Sequence, residues 1–351
     1  MKTPRRLVIL AEGKFSPLTS KTANQAIRYI PEEVVAVIDG KQAGRTAMQV
    51  LGFGGSIPVV SDLRNSLQYH PNTLLIGIAP TGGRLPESWR TIIKQALENG
   101  LDVISGLHTH LSDDEEFQSL GTKYHSEIVD LRKVPIEYEV VSKGLWKQRK
   151  AKTILTVGTN CNVGKMTVSL ELNREFARRG IKSDFIATGQ TGMLLSGRGF
   201  AVDSIISDYI SGGIEHEIEL RCTERVEFLH VEGQGSITHQ GYSSVTLGLM
   251  HGTMPDAMIM VHHPIRQKDD YGFDISDVKK LIRYNELILE PFRISKIVGI
   301  AMNPAMMTSG QVQMAKQELE EQTGLPVADV LTPEVSKLAD ALLAYLKHNS
   351  H

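Results

Sequence analysis

Residues 153–179 read TILTVGTNCNVGKMTVSLELNREFARR, and this stretch decides the fold. Its opening run, 153–157, is rich in β-branched residues, the pattern of a strand buried on both faces. The turn GTNCNVGK follows, and beyond it Met166, Val168, Leu170, Leu172 and Phe176 fall at helical spacing. Strand, glycine-bounded loop, Gly-Lys and helix together make a phosphate cradle. The backbone N–H groups converge on an anion, the helix amino end adds partial positive charge, and the lysine adds a full one. The residues expected to hold phosphate are Gly158, Thr159, Asn160, Cys161, Asn162, Val163, Gly164, Lys165, Met166 and Thr167.

Two features depart from the common form, Gly-x4-Gly-Lys-[Ser/Thr]. Five residues separate Gly158 from Gly164, and Met166 stands where a hydroxyl would bind Mg²⁺. Thr167 comes one position later, about 100° further round the helix. Phosphate binding follows from this pattern; metal-dependent phosphoryl transfer does not.

Outward towards the carboxyl terminus, 183–188 predicts a strand that ends in Gly-Gln-Thr-Gly, with Gln190 and Thr191 as candidate substrate contacts. Asp203 and Asp208 lie five apart near a helix start, where they would hold a metal, bind a substrate amine or cap the helix. The run VEFLHVEGQGS, 226–236, predicts a strand ending in Glu232, an acidic group positioned to face phosphates and their metal. A further buried strand, 256–261, leads into His262-His263-Pro264-Ile265-Arg266. His262 is a candidate general base, and Arg266 a candidate grip on a carboxylate. Helices are expected over 276–289, 309–322 and 333–347, with a strand over 297–303 that puts Asn303 at its edge.

Towards the amino terminus, short apolar runs at 7–10, 34–38, 74–78 and 101–104 alternate with helical stretches, notably 87–98. That is the βαβ pattern of a doubly wound, Rossmann-like sheet. Asp39 at the end of the second run invites a dinucleotide reading. The first turn, AEGKFSPLTSKTANQ, argues against it, because Gly13 stands alone and GxGxxG is missing. Turns at 79–83 and 106–110 follow strands on the edge where open sheets bind ligands, and His108 and His110 are candidate contacts there. The expected organisation is a Rossmann-like α/β domain at 1–135, a basic linker at 136–152 with a short strand in 136–141, and a P-loop NTPase-like α/β domain at 153–351.

With 351 residues, the chain has enough length for two cores. Its 41% apolar and 22% charged residues describe an ordinary globular protein, and a net charge of −2 gives no general pull towards nucleic acid or membrane. There is no apolar run of membrane-spanning length. Two cysteines make no disulfide framework and no zinc pattern. The expectation is a cytoplasmic protein, taken as a homo-oligomer on base rates.

The loop Gly-Thr-x-Cys-x-Val-Gly-Lys-Met-Thr (158–167), the turn Thr-Gly-Gln-Thr-Gly (188–192) and the turn Val-Glu-Gly-Gln-Gly (231–235) carry a resemblance. The first and third are similar to the loop and the Val-Glu-Gly-Ala-Gly turn of dethiobiotin synthetases. All three, behind a Rossmann-like half, resemble a bacterial two-domain family that includes D-glutamate N-acetyltransferases. The resemblance implies acetyl transfer from acetyl-CoA to a small amino-acid substrate, with cofactor phosphates on the loop. Glu232 or His262 would then serve as base, and Arg266 would bind a carboxylate. The alternative is an ATP- and Mg²⁺-dependent ligase or kinase, in which Thr167 and Glu232 share the metal and Asp203 or Asp208 completes its shell. A nucleotide-binding regulator without turnover is the third possibility.

Overall fold

In the computed structural model, which describes residues 2–78, 83 and 85–348, two six-stranded sheets carry all the named strands. The runs of Val, Ile and Leu in 7–10, 34–38 and 73–76 are buried along nearly all their length and pair in parallel, as a sheet covered on both faces requires. The first unit comprises Met1–Val134 with residues 193–197, and the second Pro135–Gly192 with Arg198–His351.

Strands of the first unit are β1 (Leu7–Leu10), β2 (Val34–Ile38), β3 (Val59–Val60), β4 (Thr73–Ile76), β5 (Asp102–Ser105) and β6 (Ile128–Asp130). They lie in the order β3-β2-β1-β4-β5-β6, the dinucleotide-fold order. Connecting helices are α1 (Lys21–Tyr29), α2 (Ala47–Leu51), α3 (Leu63–Ser66), α4 (Glu87–Glu98) and α5 (Glu115–Tyr124). The α/β expectation holds here, and α4 begins and ends where the sequence placed it. β3 and β6 are additions of two and three residues, too short to show a period.

The first turn, which follows β1, is tied to the acidic residue after β2. Phe15 is buried in it, and the Asp39 carboxylate accepts hydrogen bonds from the backbone N–H groups of Phe15, Lys41 and Gln42. Asp39 ties a loop. His110 Nδ1 lies 3.4 Å from an Asp113 carboxylate oxygen at the surface, and His108 is exposed. Of the 79–83 turn, residues 79–82 lie outside the described residues.

The second unit contains β7 (Lys152–Gly158), β8 (Ser183–Ile186), β9 (Phe228–Val231), β10 (Ala257–His262), β11 (Lys296–Met302) and β12 (Val327–Ala328). Their order is β12-β11-β10-β7-β9-β8. Its helices are α6 (Lys165–Arg178), the start of α7 (Gln190–Ser196, whose residues 193–196 count with the first unit), α8 (Ile210–Arg221), α9 (Ser243–Thr253), α10 (Val278–Leu289), α11 (Ser309–Thr323) and α12 (Val335–His348). One expectation is corrected: 136–138 forms a 3₁₀ turn after Pro135 instead of a strand. Tyr138 stacks on Phe200 at 4.5 Å and donates its hydroxyl hydrogen to Glu217, which pulls the segment off any sheet edge. Among the described residues no helix is long and apolar enough to cross a membrane.

β9 carries a histidine in the core. His230 is 1% exposed, packs edge-on against Phe176 at 4.6 Å, and neither ring nitrogen has a hydrogen-bond partner. Burial disfavours its charged form and lowers its pKa from 6.5 to about 3. As pH falls below 6.5 the unfolded chain takes up this proton first, so folding stability is lost towards pH 3. Between pH 7 and pH 5 this costs about 2 kcal/mol. His230→Phe keeps the ring packing and should shrink the pH 7-to-5 loss by about that amount, measured by urea unfolding at both pH values. An unchanged loss would mean the imidazole is not buried in its neutral form.

Candidate functional site

The strand order of the second unit reverses at β7, with β9 on one side and β10 on the other. The loop after β7 therefore emerges at the switch point on the carboxyl edge of the sheet, where such folds bind ligands. Asn162 (φ 54°) and Gly164 (φ 115°) turn the chain through left-handed conformations. Neighbouring strand ends then brace it. The Thr159 N–H donates to the Val261 carbonyl at 3.0 Å, and the Asn303 amide donates to the Val163 carbonyl at 3.0 Å. Arg266 Nη1 donates to the Cys161 carbonyl at 2.8 Å. Inside the loop, the Cys161 N–H donates to Asn160 Oδ1 at 2.7 Å.

Lys165 starts α6 but is buried, 6% exposed, and its Nζ donates to the Asn160 carbonyl at 2.7 Å. Its stem passes two glycines. A Cβ on Gly158 would lie 2.9 Å from Lys165 Nζ. One on Gly233 would lie 3.1 Å from Lys165 Cδ and 1.7 Å from the Thr156 carbonyl oxygen. The glycine after Glu232 is thus a space requirement of the loop. Among the described residues no side chain caps the amino end of α6, which leaves that end to the loop and to an anion. Asn160 Nδ2 is buried with no hydrogen-bond partner, so the loop also holds an unsatisfied donor. These are features of a phosphate cradle.

The first turn of α6 buries Met166, 4% exposed, and leaves Thr167 half-buried. The next hydroxyl along, Ser169, faces β9: its Oγ donates to the Val231 carbonyl and lies 3.0 Å from Thr156 Oγ1. Among the described residues, no group of three or more His, Cys, Asp or Glu is arranged to hold a metal ion.

Glu232, 3% exposed, binds the other turn. Its Oε2 accepts the Thr188 N–H at 3.0 Å, its Oε1 accepts the Gln234 amide at 3.2 Å, and the Thr188 hydroxyl donates to its carbonyl. A Cβ on Gly192 would come within 2.5 Å of Oε2, so the carboxylate lies against the first turn of α7, which carries Gln190 and Thr191. That is a favourable place for a negative charge. The turns 188–192 and 231–235 form one hydrogen-bonded structure.

His262 ends β10, its Nδ1 3.1 Å from Thr159 Oγ1 on the loop. Burial, helped by the neighbouring His263, lowers its pKa to about 4, so the ring is neutral at pH 7. Arg266 pairs with Asp270 besides holding the loop. Asp203 and Asp208 sit exposed in successive 3₁₀ turns before α8, and the Ser204 hydroxyl donates to Asp203. The structure thus brings Thr159, Lys165, His262 and Arg266 together around the loop.

A cluster without a motif lies beside them. His239, buried, accepts the Gly241 N–H on Nδ1, and its ring lies 4.9 Å from that of Tyr242 and 5.7 Å from that of Tyr271. A hydrogen bond with Tyr271, with burial and the nearby Cys161 and Asp270 adding to it, pushes Tyr242 up to about 12. Tyr242 and Tyr271 are both exposed. Isolated aromatics in loops carry no period, so only their loop placement could have marked them.

Comparison with known proteins agrees with this architecture. Residues 140–339 match the domain of unknown function DUF1611_C, a P-loop domain, and residues 40–134 match DUF1611_N, a Rossmann-like domain. A D-glutamate N-acetyltransferase from Tritonibacter scottomollicae is 36% identical over 276 residues, 78% of this chain and 81% of that protein. Another, from a Pseudoalteromonas species, is 35% identical over 76% of this chain and 80% of its own length. The crystal structure of a DUF1611 family protein from Anabaena variabilis superposes with a TM-score of 0.91 at 33% identity, covering 97% of this chain and 99% of that one.

The close approach at Gly233 makes a sharp test. Gly233→Ala should cost about 3 kcal/mol or more, because the clash is with backbone that cannot step aside. Gly310→Ala, near the start of α11 with nothing within 4 Å, should instead gain about 0.5–1 kcal/mol. Urea unfolding of both variants measures the contrast; an unperturbed Gly233→Ala would refute the packing described.

Proposed function

The chain belongs to the DUF1611 family, and on that premise we propose that it is an N-acetyltransferase acting on the amino group of an acidic amino acid such as D-glutamate. Acetyl-CoA is the donor, its phosphates held by the loop. The observation that carries this reading is the loop itself, which keeps its lysine and its glycine-cleared cradle while burying Met166 where a metal-binding hydroxyl would stand. Such a site favours holding phosphate over cleaving it. The family relatives named as D-glutamate N-acetyltransferases support the acetyl-transfer chemistry.

Lys165 and the loop N–H groups would hold the phosphates, and Asn160 Nδ2 is a further donor for them. The bound thioester would supply the activated acetyl group. The substrate amine must lose a proton as its nitrogen bonds to the acetyl carbon; the thioester C–S bond would break, and the coenzyme A thiolate would leave and be protonated to the free thiol. His262, neutral at pH 7, is the group to accept the amine proton and pass it on to that thiolate or to water. Negative charge on a ligand seated at the loop raises the pKa of His262 back towards neutrality and so improves it as a base. Arg266, beside the loop, is the candidate partner for a substrate carboxylate, shared with Asp270.

Calorimetric titration with acetyl-CoA should show binding that Lys165→Ala weakens by about tenfold to a hundredfold, with Mg·ATP inert. Mg²⁺-dependent ATP binding with ADP release, and no response to acetyl-CoA, would overturn the proposal in favour of a ligase or kinase. Nucleotide binding without turnover would leave a regulator. His262→Gln should lower kcat for acetyl transfer by about 10²–10⁴-fold with little change in KM. It should also remove the acid limb of the kcat profile, which in the wild type falls as pH drops through the range 6.5 to 4. A variant with wild-type kcat would exclude His262 as the base.

A further inference from the structure

The basic run Ser142–Lys152 is not accounted for by the loop site. In the structure its first half is fixed by one buried carboxylate. Glu215, 2% exposed, accepts hydrogen bonds from the Ser142 hydroxyl and from the backbone N–H groups of Lys143, Gly144 and Leu145, at 2.7–3.1 Å. The second half then reaches the start of β7, on the amino-terminal edge of the sheet, the edge away from the loop. There Trp146, Lys147, Arg149, Lys152, Asp256 and Arg293 line a cavity of about 130 Å³.

The charges in this cavity do not balance. Asp256 takes Lys152 Nζ at 3.2 Å and Arg293 Nη2 at 2.8 Å on one oxygen, and the Thr153 N–H and hydroxyl on the other. Glu219 takes Arg149 Nε at 2.9 Å. Against the cations Lys147, Arg149, Lys152 and Arg293, these two carboxylates leave two positive charges in surplus. Arg149 is the decisive side chain. It is 2% exposed, its Nη1 donates to the Thr253 carbonyl, and its Nη2 is buried with no hydrogen-bond partner among the described residues. A buried charged donor left without an acceptor is costly, and Arg149 is one of the residues that line this polar cavity. The Arg293 guanidinium lies 5.2 Å from the Trp146 ring, and the Lys147 ammonium 5.7 Å from the same ring, so Trp146 holds both cations at the cavity wall.

We infer that this cavity is a second anion site, built for a dianionic phosphate group, with Arg149 Nη2 as its buried donor and Lys147 at its rim. The cavity has roughly the volume of four waters, about the space that four phosphate oxygens need. Two surplus charges match a dianion, and arginine and lysine together are the side chains that bind one. The group belongs either to inorganic phosphate or to a phosphomonoester.

Phosphate also suits the loop, so the test uses full-length Lys165→Ala protein, in which the loop is weakened. Inorganic phosphate and glycerol phosphate are titrated separately by calorimetry. The expected result is saturable binding near one equivalent, weakened at least tenfold when Arg149→Lys is added. That change keeps a charge for Glu219 and removes Nη2. Lys147→Gln, at an exposed position, should weaken binding several-fold and carries the test if the Arg149 variant fails to fold. Tighter glycerol phosphate identifies a phosphomonoester ligand, and tighter inorganic phosphate the free ion. No saturable binding at millimolar concentrations, or binding indifferent to both changes, would overturn the inference and leave the cavity to water.

Discussion

The Lys165 ammonium, buried 2.7 Å from the Asn160 carbonyl oxygen, sets the geometry around it. A lysine that begins a helix ordinarily points into solvent. Here its stem folds back across its own loop, and that path exists only because Gly158 and Gly233 present no side chain to it. The Gly233 N–H donates to Thr156 Oγ1, which also lies 3.0 Å from Ser169 Oγ, so strand, loop and helix are held at one spacing. An ammonium desolvated in this way makes the loop an attractor for anionic oxygen.

Carboxylates at the sheet edges work in the opposite sense. Asp39, Glu215, Glu232 and Asp256 are all buried or nearly so; the first three accept backbone N–H groups from a turn or loop, and Asp256 accepts that of Thr153 in β7. Those three fix loop conformations. Positive charge in the second unit collects at two places. At the loop this is Lys165, with Arg266 beside it. On the opposite edge it is the arginine and lysine cluster around Arg149.

Much of the fold was legible in the sequence. Buried parallel strands are nearly pure runs of Val, Ile and Leu, and a helix such as Glu87–Glu98 shows its face by period. The short strands β3 and β6, and the turn at 136–138 that looks strand-like until Pro135 and Tyr138 redirect it, were not legible, because nothing local distinguishes them. At the site, the loop and both glycine turns stood out as motifs. The aromatic cluster of His239, Tyr242 and Tyr271 did not, since Tyr271 lies 29 and 32 positions from the other two and the three share no spacing rule.

What the sequence determined by itself is therefore local: where strands and helices run, where a loop with left-handed residues and a lysine follows a strand, and that Met166 replaces a hydroxyl. Those properties depend on side-chain type and period over a few residues. Only the tertiary structure decided who pairs with whom. Arg266 reaches Cys161 across 105 positions, Glu232 reaches Thr188 across 44, and Arg149 reaches Thr253 across 104 while its last donor meets none. A charge acquires its role from the acceptor or donor that folding sets beside it, and the order of residues along the chain does not record that distance.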